Sequence, residues 1–163
     1  MSEGEIRAGT LGDFGVVAAL NREVQDLHAR NRPDLFKDSS AETLTQDVFV
    51  RWLADSHVFV AVADNQVVGY LQAEIIERAE TPYRFEQRIF YIHQIVVASS
   101  ARHQGHAHRL IRAAKAGAQE LGLAFIELET WSFNLRAQAF FGNEGFHPIK
   151  ARLSSSTALD DVD

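Results

Sequence analysis

The segment Arg102-His103-Gln104-Gly105-His106-Ala107-His108 sets three histidines and an arginine around one glycine. Two chemistries suit such a stretch: metal ligation by imidazole, or capture of an anion by the backbone. Ligands on a helix need i, i+3 or i, i+4 spacing to share a face, and histidine sites often recruit carboxylates. His103 and His106 fall in or before the first turn of the next helix, His108 points elsewhere, and no Asp or Glu occurs between Ile89 and Lys115. We therefore expect no metal. In the backbone reading, an apolar strand runs into a loop at a helix N-terminus. The first amides of a helix have no partner inside it and lie at the positive end of its dipole. Gly105 and Ala107 carry little or no side chain, so a pyrophosphate can approach, and Arg102 adds charge. The loop has neither the lysine of a phosphate-binding G-x-x-x-x-G-K-[ST] nor a G-x-G-x-x-G pattern.

The elements that must hold this loop can be read from periodicity. Residues 5–8 can open a sheet, and Thr10 or Asp13 can cap the first helix. Phe14, Val17, Ala18, Val24 and Leu27 share a helical face. That helix must end before Pro33, because the residue preceding proline avoids helical backbone. Ser39 and Ser40 precede a second helix with Leu44, Val48 and Trp52 inward and Phe49 and Leu53 widening the stripe. Residues 57–63 and 67–76 read as a hairpin around Asp64-Asn65-Gln66, 77–88 as a loop, and 89–98 as a strongly apolar strand. A helix over 105–122 carries Ala107, Leu110, Ile111, Ala114, Ala118 and Leu121 on one face. Residues 124–131 alternate like a strand, 134–143 form a short helix ended by Gly145, and 146–153 read as a last strand. The order mixes hairpins with a crossover helix, which predicts an α/β fold of three layers around a mixed sheet. One domain spans 1–153, and 154–163 is an acidic, flexible tail.

Composition narrows the partners. The chain has 163 residues, 46% apolar and 23% charged, as expected of a globular domain. It has no cysteine, which excludes disulfides, thiolate catalysis and zinc–cysteine sites. There is no basic segment followed by an apolar run at the N-terminus and no apolar stretch near membrane-spanning length, so the expected location is the cytoplasm, away from membranes. A net charge of −6 disfavours nucleic acid as a partner and is compatible with a cationic substrate.

Two motifs carry a resemblance. The strand, R-x-x-G-x-A over 102–107, helix, strand, then N-x-x-A-x-x-F-F-x-x-x-G-F from Asn134 to Phe146, is similar to the GCN5-related N-acetyltransferase (GNAT) family. The resemblance extends across 5–153. It implies an α-β-α sandwich whose mostly antiparallel sheet splays between the fourth strand, 89–98, and the fifth, 124–131. It implies acetyl-CoA as co-substrate, without metal. Backbone of Arg102, His103, Gln104, Gly105, His106 and Ala107 would hold the pyrophosphate. Ile95, Val96 and Val97 would pair with the pantetheine, and Asn134 and Phe141 would lie beside it.

The implied reaction moves an acetyl group to a primary amine of a small molecule or peptide by direct attack in a ternary complex. An alkylamine is mostly protonated at neutral pH, so a base must first take its proton, and a backbone N–H near Val96 and Val97 would steady the oxyanion. His93 is the first candidate base, where relatives often carry a carboxylate; the alternative is a histidine packed in the sheet. Glu74, Glu127 and Glu129 are rivals, or else solvent-facing or paired with arginine. Many relatives have a tyrosine acid at the position of Phe141, and phenylalanine has no proton to give. Tyr91, Tyr70 or water would then protonate the thiolate, or the fold is a non-catalytic module that binds acyl-CoA or docks a partner. Segments 27–36 and 76–88 would wall the acceptor site, with Phe36, Tyr83 and Phe85 lining it, forming an interface, or packing under the loop. Relatives of this kind are often homodimers, a state on which these residues are silent.

Overall fold

The computed structural model describes residues 4–157. Asp64 and Asn65 both adopt left-handed backbone, φ 49° and 61°. Such turns match the twist of paired strands, and this one joins β2 (His57–Ala63) to β3 (Gln66–Arg78). β1 (Glu5–Ala8) lies antiparallel to β2, β3 antiparallel to β4 (Gln87–Val97), and β5 (Phe125–Leu128) parallel to β4. The sheet order follows the chain, β1-β2-β3-β4-β5.

Helices cover both faces because both faces are apolar. α1 (Phe14–Asn31) and α2 (Gln46–Asp55) close one side, where Val17, Leu20 and Phe49 pack on Val58, Val60, Tyr70 and Val96. α3 (His106–Glu120) and α4 (Leu135–Asn143) close the other, where Leu110, Ile111, Ala114 and Phe141 pack on Leu71, Ala73, Phe90 and Ile92. The result is the mixed, mostly antiparallel three-layer α/β fold expected from the pattern. Among the described residues no helix is long and apolar enough to cross a membrane.

Three details differ from expectation. The second helix starts later, at Gln46, with the Thr45 hydroxyl accepting from the Val48 amide at 3.4 Å, not at Ser39 or Ser40. Leu44 reaches the core from the loop, so its burial lent the loop a helical pattern. β3 and β4 extend into the expected 77–88 loop, leaving a short tip that carries Tyr83 and Phe85 exposed. Residues 146–153 form no strand. Pro148 brings no N–H to a ladder, and no neighbouring strand covers Ile149 or Leu153, which are 74% and 89% exposed. The expected tail lies partly outside the described residues; 154–157 are exposed and irregular.

The entry to α1 is held by charge. Arg7 donates two hydrogen bonds to buried Asp13, at 2.8 and 2.9 Å, and the Thr10 amide donates a third at 2.8 Å. The Asp13 carboxylate thus turns back to β1 and makes no side-chain cap on α1. Its hydrogen bonds from Arg7, against the opposing effect of burial, hold its pKa down at about 2. A lowered acid pKa stabilises the fold above its unfolded value and loses that contribution as pH falls through the folded one. Urea unfolding should therefore show roughly 2 kcal/mol of stability disappearing between about pH 4 and pH 2. Asp13→Asn should be weaker than wild type near neutrality and lack that part of the acid slope.

Candidate active site

β4 carries one residue more than β3 can pair. Gln72 opposes Gln94 and Ala73 opposes Ile92, so His93 is the bulged residue. A bulge re-aims the side chains around it. Gln94 is drawn to the α1 side, where its Oε1 accepts from Asn21 Nδ2 at 2.7 Å and from the Tyr70 hydroxyl; Asn21 Nδ2 also reaches that hydroxyl at 3.0 Å. His93 Nε2 lies 2.9 Å from Glu74 Oε1, and its ring meets Tyr91 edge-on at 4.9 Å. His93 and Glu74 line a cavity of about 350 Å³ with Arg51, Trp52, Asp55, Ser56, Gln72 and Gln94. Glu127, beside Tyr91 in register, is 3.8 Å from Arg78.

The other edge of β4 separates from its neighbour. The parallel ladder with β5 ends at Ile92–Leu128, while β4 continues to Val97. From His93 onward β4 has no strand on its β5 side among the described residues. Ile95 and Val97 pack towards α3 and Val96 towards α1, so backbone rather than side chain faces that gap. Arg102 Nε donates to the Val97 carbonyl at 3.3 Å.

Beyond the gap, the 102–107 loop turns into α3 through two left-handed residues, His103 at φ 62° and Gly105 at φ 79°. Alternating backbone of this kind points successive amides into one concavity that suits an anion. Among the described residues, the amides from Gly105 to His108 have no hydrogen-bond acceptor. Arg109 braces the loop. Its Nη2 donates to the Gln104 carbonyl at 3.1 Å and to His106 Nδ1 at 2.9 Å, and its Nη1 would lie 3.0 Å from any Cβ at position 105. His106 is buried, its pKa lowered first by burial and then by Arg109. Its Nε2 and Arg109 Nε are buried atoms without a hydrogen-bond partner among the described residues. The three histidines take three different partners: His103 meets Arg136, His106 meets Arg109, and His108 meets Glu144.

α4 packs on the α3 side of the sheet through Phe141. The Asn134 side chain accepts from the Ala137 amide at 3.1 Å, capping α4, and Phe141 is buried against Phe140 and Phe146. Of the tyrosines considered as acids, Tyr70 is fully buried, its proton committed to Gln94 and its pKa raised by burial. Tyr91 is partly exposed, its pKa raised by burial and then by Glu129 and Glu127. Phe36, expected to line the acceptor site, belongs to an aromatic wall that joins α1 to the segment before α4 and whose other members the sequence did not single out. His28 stacks on Phe36 at 4.9 Å, Phe36 meets Trp131 edge-on at 5.2 Å, and Phe133 stacks on Trp131. Burial lowers the His28 pKa. For Trp131 and Phe133 the local hint was the Trp131-Ser132-Phe133 run before Asn134.

The Acetyltransferase (GNAT) family model matches residues 21–146. Among curated proteins, none matches. A mutant of the BH1408 protein from Bacillus halodurans is 25% identical, with TM-score 0.90 over 94% of this chain and 99% of that one. A predicted acetyltransferase from Clostridium acetobutylicum, solved with acetyl-CoA, is 15% identical with TM-score 0.70 over 94% and 96%. An aminoglycoside acetyltransferase from an uncultured soil metagenomic sample, in complex with sisomicin, is 19% identical with TM-score 0.64 over 96% and 97%.

The loop makes a prediction independent of any ligand. Gly105→Ala places a Cβ on left-handed backbone against Arg109, and should cost about 1–2 kcal/mol in urea unfolding. His103→Gly removes a side chain from left-handed backbone, and should be neutral or stabilising.

Proposed function

The chain belongs to the GNAT acetyltransferase family, and from that premise we propose that it transfers the acetyl group of acetyl-CoA to a primary amine. The observation that carries this reading is the double use of one short stretch of β4. Its bulge turns His93 and Gln94 to a cavity on the α1–α2 side, while its edge, parted from β5, opens towards the anion-binding loop. An acceptor in the cavity and a thioester in the gap would meet at that stretch. The free amides of 105–108 and the Arg102 guanidinium suit a pyrophosphate, and the unpaired edge of 95–97 suits a chain of amides added like a strand.

The chemistry is aminolysis of a thioester. The amine nitrogen bonds to the acyl carbon, the carbon–sulfur bond breaks, the amine loses a proton and the thiolate leaves. Asp55 and Glu74 give the cavity carboxylates that attract a protonated amine. We assign the base to His93. Its Nε2–H donates to Glu74, which fixes the ring and leaves Nδ1 as the proton acceptor. Glu74 is then the group that orients it. An oxyanion would be steadied by the backbone near Val96 and Val97. Tyr70 cannot serve as the acid while it donates to Gln94, which leaves Tyr91 or water. The acceptor is a small molecule or peptide amine, and the aromatic wall of Phe36, Trp131 and Phe133 is a candidate surface for its apolar part.

Phe141 favours a second reading, an acyl-CoA-binding module without turnover, because it has no proton to give. Release of CoA thiol from acetyl-CoA against a panel of amines, free N-termini and lysine peptides separates the two. Turnover with one acceptor class establishes the transferase; binding of acetyl-CoA with no release across the panel favours the module. In the enzyme, His93→Ala should lower kcat on the order of a hundredfold with acetyl-CoA affinity within about twofold of wild type. An unchanged kcat in that variant would remove His93 from the base role.

A further inference from the structure

Arg136 is the second residue of α4, exposed to solvent. A cation there is unfavourable for the helix, because it lies at the positive end of the helix dipole. The first turn of α4 contains no acidic residue to offset it. No carboxylate is within ion-pairing distance of the guanidinium among the described residues. Its polar partner is a ring: Arg136 Nη2 lies 3.0 Å from His103 Nε2. Arginine has only donors, so His103 accepts through a lone pair and brings no negative charge.

Charge is sorted around the loop and the start of α4, which meet at Arg136 and His103. The chain carries 22 acidic residues, yet none occurs from Ile89 to Lys115 or from Thr130 to Asn143, the stretches that hold the loop and α4. The carboxylate that does approach, Glu144, is 2.8 Å from His108. Arg102, Arg109 and Arg136 thus surround the loop with no acid among them. An arginine that opposes its own helix and lacks a counter-ion is placed for an anion supplied from outside.

Resting on the acetyl-CoA reading above, we infer that Arg136 is a phosphate ligand of the co-substrate, delivered from α4 to the rim of the 102–107 loop and aligned there by His103. The phosphate is either the pyrophosphate in the loop or the 3′-phosphate of the nucleotide, and the same guanidinium chemistry serves both. Such a residue adds affinity for the nucleotide end and takes no part in acyl transfer.

The test is calorimetric titration of wild type, Arg136→Ala and Arg136→Gln with acetyl-CoA and with its 3′-dephospho analogue, alongside thermal melting. Both variants should bind acetyl-CoA at least about tenfold more weakly, with melting temperatures unchanged or raised because a cation has left the helix N-terminus. A loss that vanishes with the dephospho analogue assigns Arg136 to the 3′-phosphate; a loss that persists assigns it to the pyrophosphate. Variants that bind acetyl-CoA within about twofold of wild type overturn the inference, as does a loss matched by a lower melting temperature, which makes the arginine a structural pin. Wild type that fails to bind acetyl-CoA refutes the parent reading, and the first titration shows it.

Discussion

β4 has eleven residues and β5 has four, so the parallel ladder between them stops at Ile92 and leaves the end of β4 bare on one side. Backbone amides and carbonyls at a bare edge must find partners in water or in another chain of amides. Most folds conceal such an edge. Here the layers keep it open: Ile95 and Val97 hold the strand on α3, Val96 holds it on α1, and β3 secures its other side as far as Gly69–Val97. Packing on both faces and pairing along one edge thus fix where the bare stretch lies, which suits it to the thioester of the proposed reaction.

The bulge at His93 depends on the same strand. Without the extra residue, His93 and Gln94 would point to opposite faces, as neighbours in a strand do. With it, both line the cavity, and Gln94 still reaches the buried Asn21–Tyr70 pair. That polar network is costly to leave half-made in a core, so it specifies where β4 lies relative to α1. The position of the candidate base is thereby tied to a buried hydrogen-bond set that makes no contact with it.

Charge is distributed to match. The cavity side bears Asp55 and Glu74 beside Arg51, with the Glu127–Arg78 pair nearby, while the loop side is basic and free of carboxylates through two long stretches. A net charge of −6 describes neither side. In the proposed reaction a protonated amine and a phosphorylated thioester would be drawn to opposite faces of one sheet and would meet where β4 parts from β5.

Local chemistry was legible in the residues. Periodicity placed the four helices and the hairpins, and the R-x-x-G-x-A and N-x-x-A motifs fall at the starts of α3 and α4. The expected strand at 146–153 was a pattern without a partner, since alternation states which side chains want burial but not which neighbour will supply a ladder. The late start of α2 has the same cause, because Leu44 is buried by tertiary contact and not by a helix. His93 and Glu74 were named separately, 19 positions apart; strand pairing and the bulge bring them to 2.9 Å. The wall of His28, Phe36, Trp131 and Phe133, and the meeting of Arg136 with His103, join segments about 30 to 100 residues apart. The order of residues alone specifies most of the elements and the chemistry each can carry, because backbone preference and periodicity act over a few residues. Which of those chemistries meet is settled in three dimensions, because register, bulge and packing are set between segments distant in the chain.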